Sequence, residues 1–226
     1  MAAGRFATAY FAALERVSAG QPNEAVRALN GVEALVADPA IAIGEIAGRS
    51  APERVGTPAW VLYQVGTELL SVGDSTGAVA LARRALRWLE TRSATEQEYS
   101  ESRYQRALTL ELEGQLDSAW ALVRQLAQEA PANIEIRWRL GVLAARLGRR
   151  AQAIAIDTWL ARHPAVMPPG LPQLERARIA AVLGERERAI ELLETLPFRA
   201  HPVDVVFFTA IPPSRCFITI RVGYGC

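Results

Sequence analysis

Lysine does not occur in this chain of 226 residues, so all 25 basic residues other than the two histidines are arginine. A phosphate-binding loop lysine and a Schiff-base lysine are thereby excluded. Cysteine is nearly absent: Cys216 and Cys226 stand close to the C-terminus, so no disulfide framework braces the preceding two hundred residues. Histidine is equally scarce. His163 and His201 are each followed by proline, with no cysteine and no further histidine in the body of the chain to complete a metal-ligand set, so no metal is expected. Neither G-x-G-x-x-G nor G-x-x-x-x-G-K-S occurs, and Ser102, Ser118 and the other serines are read as having no G-x-S-x-G elbow around them. The chain is expected to be non-catalytic and to need no cofactor.

Excess charge of one sign is also missing. The formal net charge is +1, with arginine and acidic residues interleaved, which leaves no electrostatic footprint for nucleic acid or an anionic membrane surface. No apolar run reaches the eighteen or so residues a bilayer span requires. Glu15 and Arg16 interrupt the stretch where a signal peptide would keep its apolar segment, so the first twenty residues are expected to be folded and the protein cytoplasmic.

What is present in quantity is Ala and Leu, residues that favour helix and close helix packing. A spacing recurs with them: a small residue, Gly seven places on, and Ala five places after that. It occurs as Ala13, Gly20, Ala25; Gly66, Gly73, Ala78; Ala107, Gly114, Ala119; Gly141, Gly148, Ala153; and Ala177, Gly184, Ala189. The glycine-to-glycine intervals are 53, 41, 34 and 36 residues. Each Gly is expected just past the end of a first helix, where a left-handed backbone closes it without Cβ strain. The small residue and the Ala are expected where the first and second helices of a pair cross closest.

The pattern predicts an all-α array of about five antiparallel helix pairs. First helices are expected at 4–18, 58–72, 97–113, 133–147 and 171–183, and second helices at 22–37, 75–91, 116–129, 150–162 and 186–196. Asp74, Ser75 and Asp117 suit helix starts, and Pro22 suits a first turn. Residues 38–57 read as an insertion, 93–96 as a polar linker and 167–172 as a Pro/Gly turn. The repeat body therefore covers 1–197.

Segments such as 62–86, 107–131 and 136–160, with their 34-residue period, resemble the tetratricopeptide repeat family. The resemblance implies an α-solenoid that binds a protein or peptide on its concave face, with self-association left open. The Ala/Leu/Arg-rich repeats are also similar to those attached to bacterial serine/threonine kinases and transcriptional regulators. An alternative function is therefore a sensor or docking fragment of a larger signalling protein, truncated or frame-altered at its C-terminus.

Three residues before each small position stand Tyr10, Tyr63, Tyr104, Trp138 and Leu174. In the resembled family this position lies on the concave face, so the aromatics are the candidate partner contacts, with Arg178 beside them to meet acidic groups. Arg103, Arg137 and Arg146 are expected near the same groove. The competing reading is that the aromatics only pack. Carboxylates such as Glu98, Glu101, Glu111, Glu113, Glu185, Glu187, Glu191 and Glu194, with arginines at helical spacing, read as solvated faces. After Phe198 the sequence turns β-branched, aromatic and poor in charge, and 198–226 reads as a non-repeat tail, disordered or a short β-hairpin of 203–211 with 216–222.

Overall fold

The computed structural model describes residues 2–35, 57–163 and 170–196, and the expected insertion up to residue 56, the turn at 167–169 and the tail hairpin lie outside them. The described residues contain eleven α-helices and no strand. They are α1 (Ala2–Ser18), α2 (Pro22–Ala28), α3 (Pro58–Ser71), α4 (Ser75–Glu90), α5 (Ala94–Glu98), α6 (Ser100–Glu113), α7 (Leu116–Glu129), α8 (Ile134–Arg146), α9 (Arg150–Ala161), α10 (Leu171–Val182) and α11 (Arg186–Glu194).

Five of these helices end in the same way. Gly20, Gly73, Gly114, Gly148 and Gly184 have φ of 71°, 87°, 89°, 71° and 80°, and no other residue type among the described residues has positive φ. At each turn the glycine N–H donates three residues back and the next N–H donates five back. Examples are Gly114 to Glu111 at 3.1 Å and Gln115 to Leu110 at 2.8 Å. This is the Schellman arrangement, which satisfies carbonyls left free at a helix end. A Cβ on any of the five would meet nothing within 4 Å, so left-handed backbone, not space, is what calls for glycine.

The starts of α3, α4 and α8 are capped by side-chain oxygens. Thr57 accepts from Trp60 N–H at 3.1 Å, Asp74 from Gly77 N–H at 2.9 Å and Asn133 from Ile136 N–H at 3.1 Å. Pro22, Pro58 and Pro172 lie in first turns, where a missing N–H costs nothing.

The described residues form two compact units, divided between Leu122 and Val123. In the first, α1, α3 and α6 pack side by side as a row of first helices, while α4 packs on α2, α3 and α6. In the second, α8 and α10 adjoin, α9 packs against both, and α11 packs on α10. Ala13, Ala107 and Ala177, at the small position, are at most 1% exposed. At the other two repeats that position is Gly, and each lies against two helices. A Cβ on Gly66 would come within 3.7 Å of Leu81 on α4 and 2.6 Å of Leu112 on α6; one on Gly141 would meet Ile156 of α9 at 2.9 Å and Ile179 of α10 at 2.6 Å. The small residue thus serves both the partner helix and the next repeat's first helix.

Several expectations are corrected. The second helix expected at 22–37 stops at Ala28, because Gly31 takes φ 76° and a 3-10 turn, Val32–Leu35, follows. Residues 93–96 are not a linker: Ser93 and Glu96 form a capping box that starts the short α5. The helix expected from 97 begins at Ser100, because Tyr99, at φ −59° and ψ 137°, breaks the chain between α5 and α6. Glu101 and Glu111 are not on a solvated face either; both are 7% exposed.

Candidate functional site

The column of candidate residues lies on the first helices, as its spacing requires, but largely beneath the surface. Tyr63, Tyr104 and Trp138 are 8%, 4% and 6% exposed. Tyr63 packs its ring 5.8 Å from Trp60. Tyr10 is half-buried, 5.4 Å from the exposed ring of Phe11, and its phenol is held above its ordinary pKa by burial, assisted by the Glu68 carboxylate. Leu174, the aliphatic member, packs against the buried pair of Ala177 and Leu193 within the last helix pair.

Around Trp138 the structure gathers charge. Arg139 places its guanidinium carbon 4.2 Å from the ring centroid and Arg178 places its own at 5.7 Å. Arg178 donates through Nη1 to both carboxylate oxygens of Glu175, at 3.0 and 3.2 Å. Glu175 is 1% exposed. Burial pushes its carboxyl above the usual range, opposed by the positive charges of Arg178 and Arg139 and reinforced by Glu135. The indole N–H of Trp138 is buried and has no hydrogen-bond partner.

Not every arginine expected near the groove joins this cluster. Arg137 donates to the Pro131 carbonyl at 2.7 Å and lies 4.5 Å from the Trp159 ring, which stacks on His163 at 3.9 Å. That stack belongs to the end of α9. Arg178, by contrast, reaches a column aromatic with its guanidinium.

Sequence reading missed a polar layer next to the column. One residue after each column position stand Phe11, Gln64, Gln105, Arg139 and Glu175. Gln105, 2% exposed, accepts from the Thr57 hydroxyl at 3.0 Å and donates to Glu101 at 3.1 Å, joining the start of α3 to α6. Recurrence of polar residues at this position was the available signal. A second missed spelling is Gly73-Asp74-Ser75-Thr76-Gly77, which has the letters of a nucleophile elbow. It follows a helix, where the elbow requires a strand, and Asp74 is occupied in capping α4.

An open groove between α2 and α4 is lined by Asn23, Val26, Arg27, Asp74, Thr76, Gly77 and Ala80. Its charged groups are engaged, Arg27 with Glu24 and Asp74 with Gly77 N–H. Among the described residues, no group of three His, Cys, Asp or Glu could hold a metal ion, and no helix is long and apolar enough to cross a membrane.

No protein-family model matches the chain, and no curated protein does. Among solved structures it is similar to a Podosopora anserina putative kinesin light chain of nearly identical TPR-like repeats. The identity is 21%, the similarity covers 85% of this chain and 93% of that one, and the TM-score is 0.45. It is also similar to MamA of AMB-1, at 21% identity, 84% and 95% coverage and a TM-score of 0.35. By their own helix pairs, Schellman glycines and small-residue crossings, the described residues have an all-α, tetratricopeptide-like repeat fold.

Proposed function

We propose that the chain is a non-catalytic protein-interaction scaffold that holds a partner peptide or helix along its first helices. The observation that carries this reading is the side-by-side packing of first helices, α1 with α3 and α6 in one unit and α8 with α10 in the other. Such rows offer an extended backbone-rigid surface with side chains from successive repeats at regular intervals, which suits an elongated partner. The half-buried Trp60, Gln64, Thr67, Arg139 and Arg178 are side chains on this layer with surface left to offer.

Buried Tyr63, Tyr104 and Trp138 act in this reading as the floor that positions those side chains, and Tyr10 and Phe11 as an aromatic end. The test is selection of binders from a random peptide library, followed by titration of the folded chain. Saturable binding weakened by Gln64→Ala, Thr67→Ala and Arg139→Gln, but not by Thr76→Ala, Arg83→Gln or Ile154→Ala on second helices, is the expected result. Failure to obtain a saturable binder, or weakening only by the second-helix substitutions, would refute the reading. Sedimentation of the same preparation across concentration reads self-association separately.

A further inference from the structure

We propose that Asn30–Gly31 is a self-modifying site, at which the folded chain converts its asparagine to isoaspartate and aspartate and so loosens the 3-10 turn from α4. The chain holds three asparagines. Asn23 precedes Glu24 inside α2, and Asn133 precedes Ile134 while its side chain caps α8. Asn30, by contrast, is exposed, is followed by an exposed glycine and, among the described residues, has a side chain held by no hydrogen bond. A turn closes around the pair, with Val32 N–H donating to the Leu29 carbonyl at 3.2 Å. Gly31 has φ 76° and no described residue other than glycine has positive φ, so the pair forms the centre of a type II turn. The peptide unit between them is tied on neither side: among the described residues, no N–H donates to the Asn30 carbonyl and the Gly31 N–H donates to nothing.

The reaction needs only water. The Gly31 amide nitrogen, on losing its proton, attacks Cγ of Asn30; the N–Cγ bond forms, the Cγ–Nδ2 bond breaks, and ammonia leaves with the proton. Water then opens the cyclic succinimide. Attack at Cγ restores the main chain as aspartate, whereas attack at the former backbone carbonyl leaves the chain running through Cβ and Cγ as isoaspartate, and no electrons are gained or lost. Ring closure requires the peptide plane to turn its nitrogen toward Cγ. A plane without hydrogen bonds, followed by a residue that accepts φ of either sign and has no side chain to crowd the ring, is free to make that turn. Isoaspartate then adds a main-chain carbon between Leu29 and Val32, which are 0% and 1% exposed. The Leu29 carbonyl is also where Arg84 of α4 donates, at 2.7 Å, so the lengthened chain cannot keep both buried side chains and that bond in place.

The experiment incubates the full, folded chain in heavy-oxygen water at mildly alkaline pH and follows its tryptic peptides by mass spectrometry, with electron-transfer fragmentation to tell isoaspartate from aspartate. Asn30 is expected to convert about tenfold or more faster than Asn23 and Asn133, taking up heavy oxygen, and faster still as pH rises. Gly31→Ala, which keeps the asparagine but crowds the ring, should slow the conversion severalfold. Circular dichroism checks that this variant remains helical; if it does not, Asn30→Gln, whose ring closure is slower, takes its place. Conversion at Asn30 no faster than at the other two asparagines, conversion only after unfolding in urea, or an undiminished rate in the variant would overturn the site. The aged chain, rich in isoaspartate, should unfold at lower urea than Asn30→Asp, which carries the same charge on a main chain of ordinary length. Equal midpoints would overturn the loosening.

Discussion

Ile179 of α10 seats its δ-methyl against the backbone of Gly141 on α8, where a Cβ would stand only 2.6 Å from it. The same Cβ would lie 2.9 Å from the γ-methyl of Ile156, whose branched side chain has little freedom to turn away. At Gly66 the closest atom, 2.6 Å away, is the tip of Leu112, which can rotate. Alanine gains up to about 1 kcal/mol of helix propensity at either place, whereas overpacking costs about 1–3 kcal/mol. Gly141→Ala is therefore expected to destabilise its unit by about 1–2 kcal/mol and Gly66→Ala to be close to neutral. Urea denaturation of the two variants checks the order.

The turn glycines answer to a different constraint. Gly114, at φ 89°, has open space around its Cβ direction, so only the left-handed backbone resists a side chain. Gly114→Ala should cost about 1 kcal/mol, and Gly114→Asn less, because asparagine tolerates that conformation. Equal stability of the wild type and the alanine variant, by thermal or urea unfolding, would contradict this.

These two kinds of glycine explain what could be read in advance. The turn and crossing positions are local requirements of a backbone, so a spacing of seven and five residues exposes them wherever they recur. Most helix limits, such as Leu116–Glu129, follow directly. The buried acids do not. Local spacing puts Glu101 on a wet face, because its arginine neighbours are close in sequence, yet it accepts a hydrogen bond from Gln105, which in turn binds Thr57, 48 residues away in sequence. The site is legible to the same extent: spacing places Trp138 and Arg178 on first helices, while the pairing of Arg178 with a buried Glu175 depends on packing that no single-helix pattern carries.

Glu175 supplies a pH signature. Its folded carboxyl titrates above its ordinary value of 4.5, with burial as the largest cause. The folded state therefore holds a proton that the unfolded state has released, and the group's contribution is fully present below the unfolded value and is lost as pH rises through the folded one. Compared with Glu175→Gln, wild-type stability should fall as pH climbs from the ordinary carboxylate range toward neutrality. A stability difference independent of pH, followed by urea midpoints, would contradict this.

Glu33 should behave oppositely. Burial alone would raise its pKa, but hydrogen bonds and charge from Arg84 outweigh it and hold the carboxyl below 4.5. Arg84 donates to both Glu33 oxygens, at 2.8 and 2.9 Å, and to the Leu29 carbonyl at 2.7 Å, tying the 3-10 turn to α4. Arg84→Gln is expected to cost about 1–2 kcal/mol at neutral pH. That cost should be present above the ordinary carboxylate value and shrink as pH falls through the lowered one, as measured by denaturation at a series of pH values.

Hydrogen exchange by mass spectrometry, on the full chain with and without a library-selected peptide, tests the scaffold reading most directly. Added protection concentrated on α3, α6, α8 and α10 is the predicted result. Protection confined to α4, α9 and α11, or no change on any helix under saturating peptide, would contradict it.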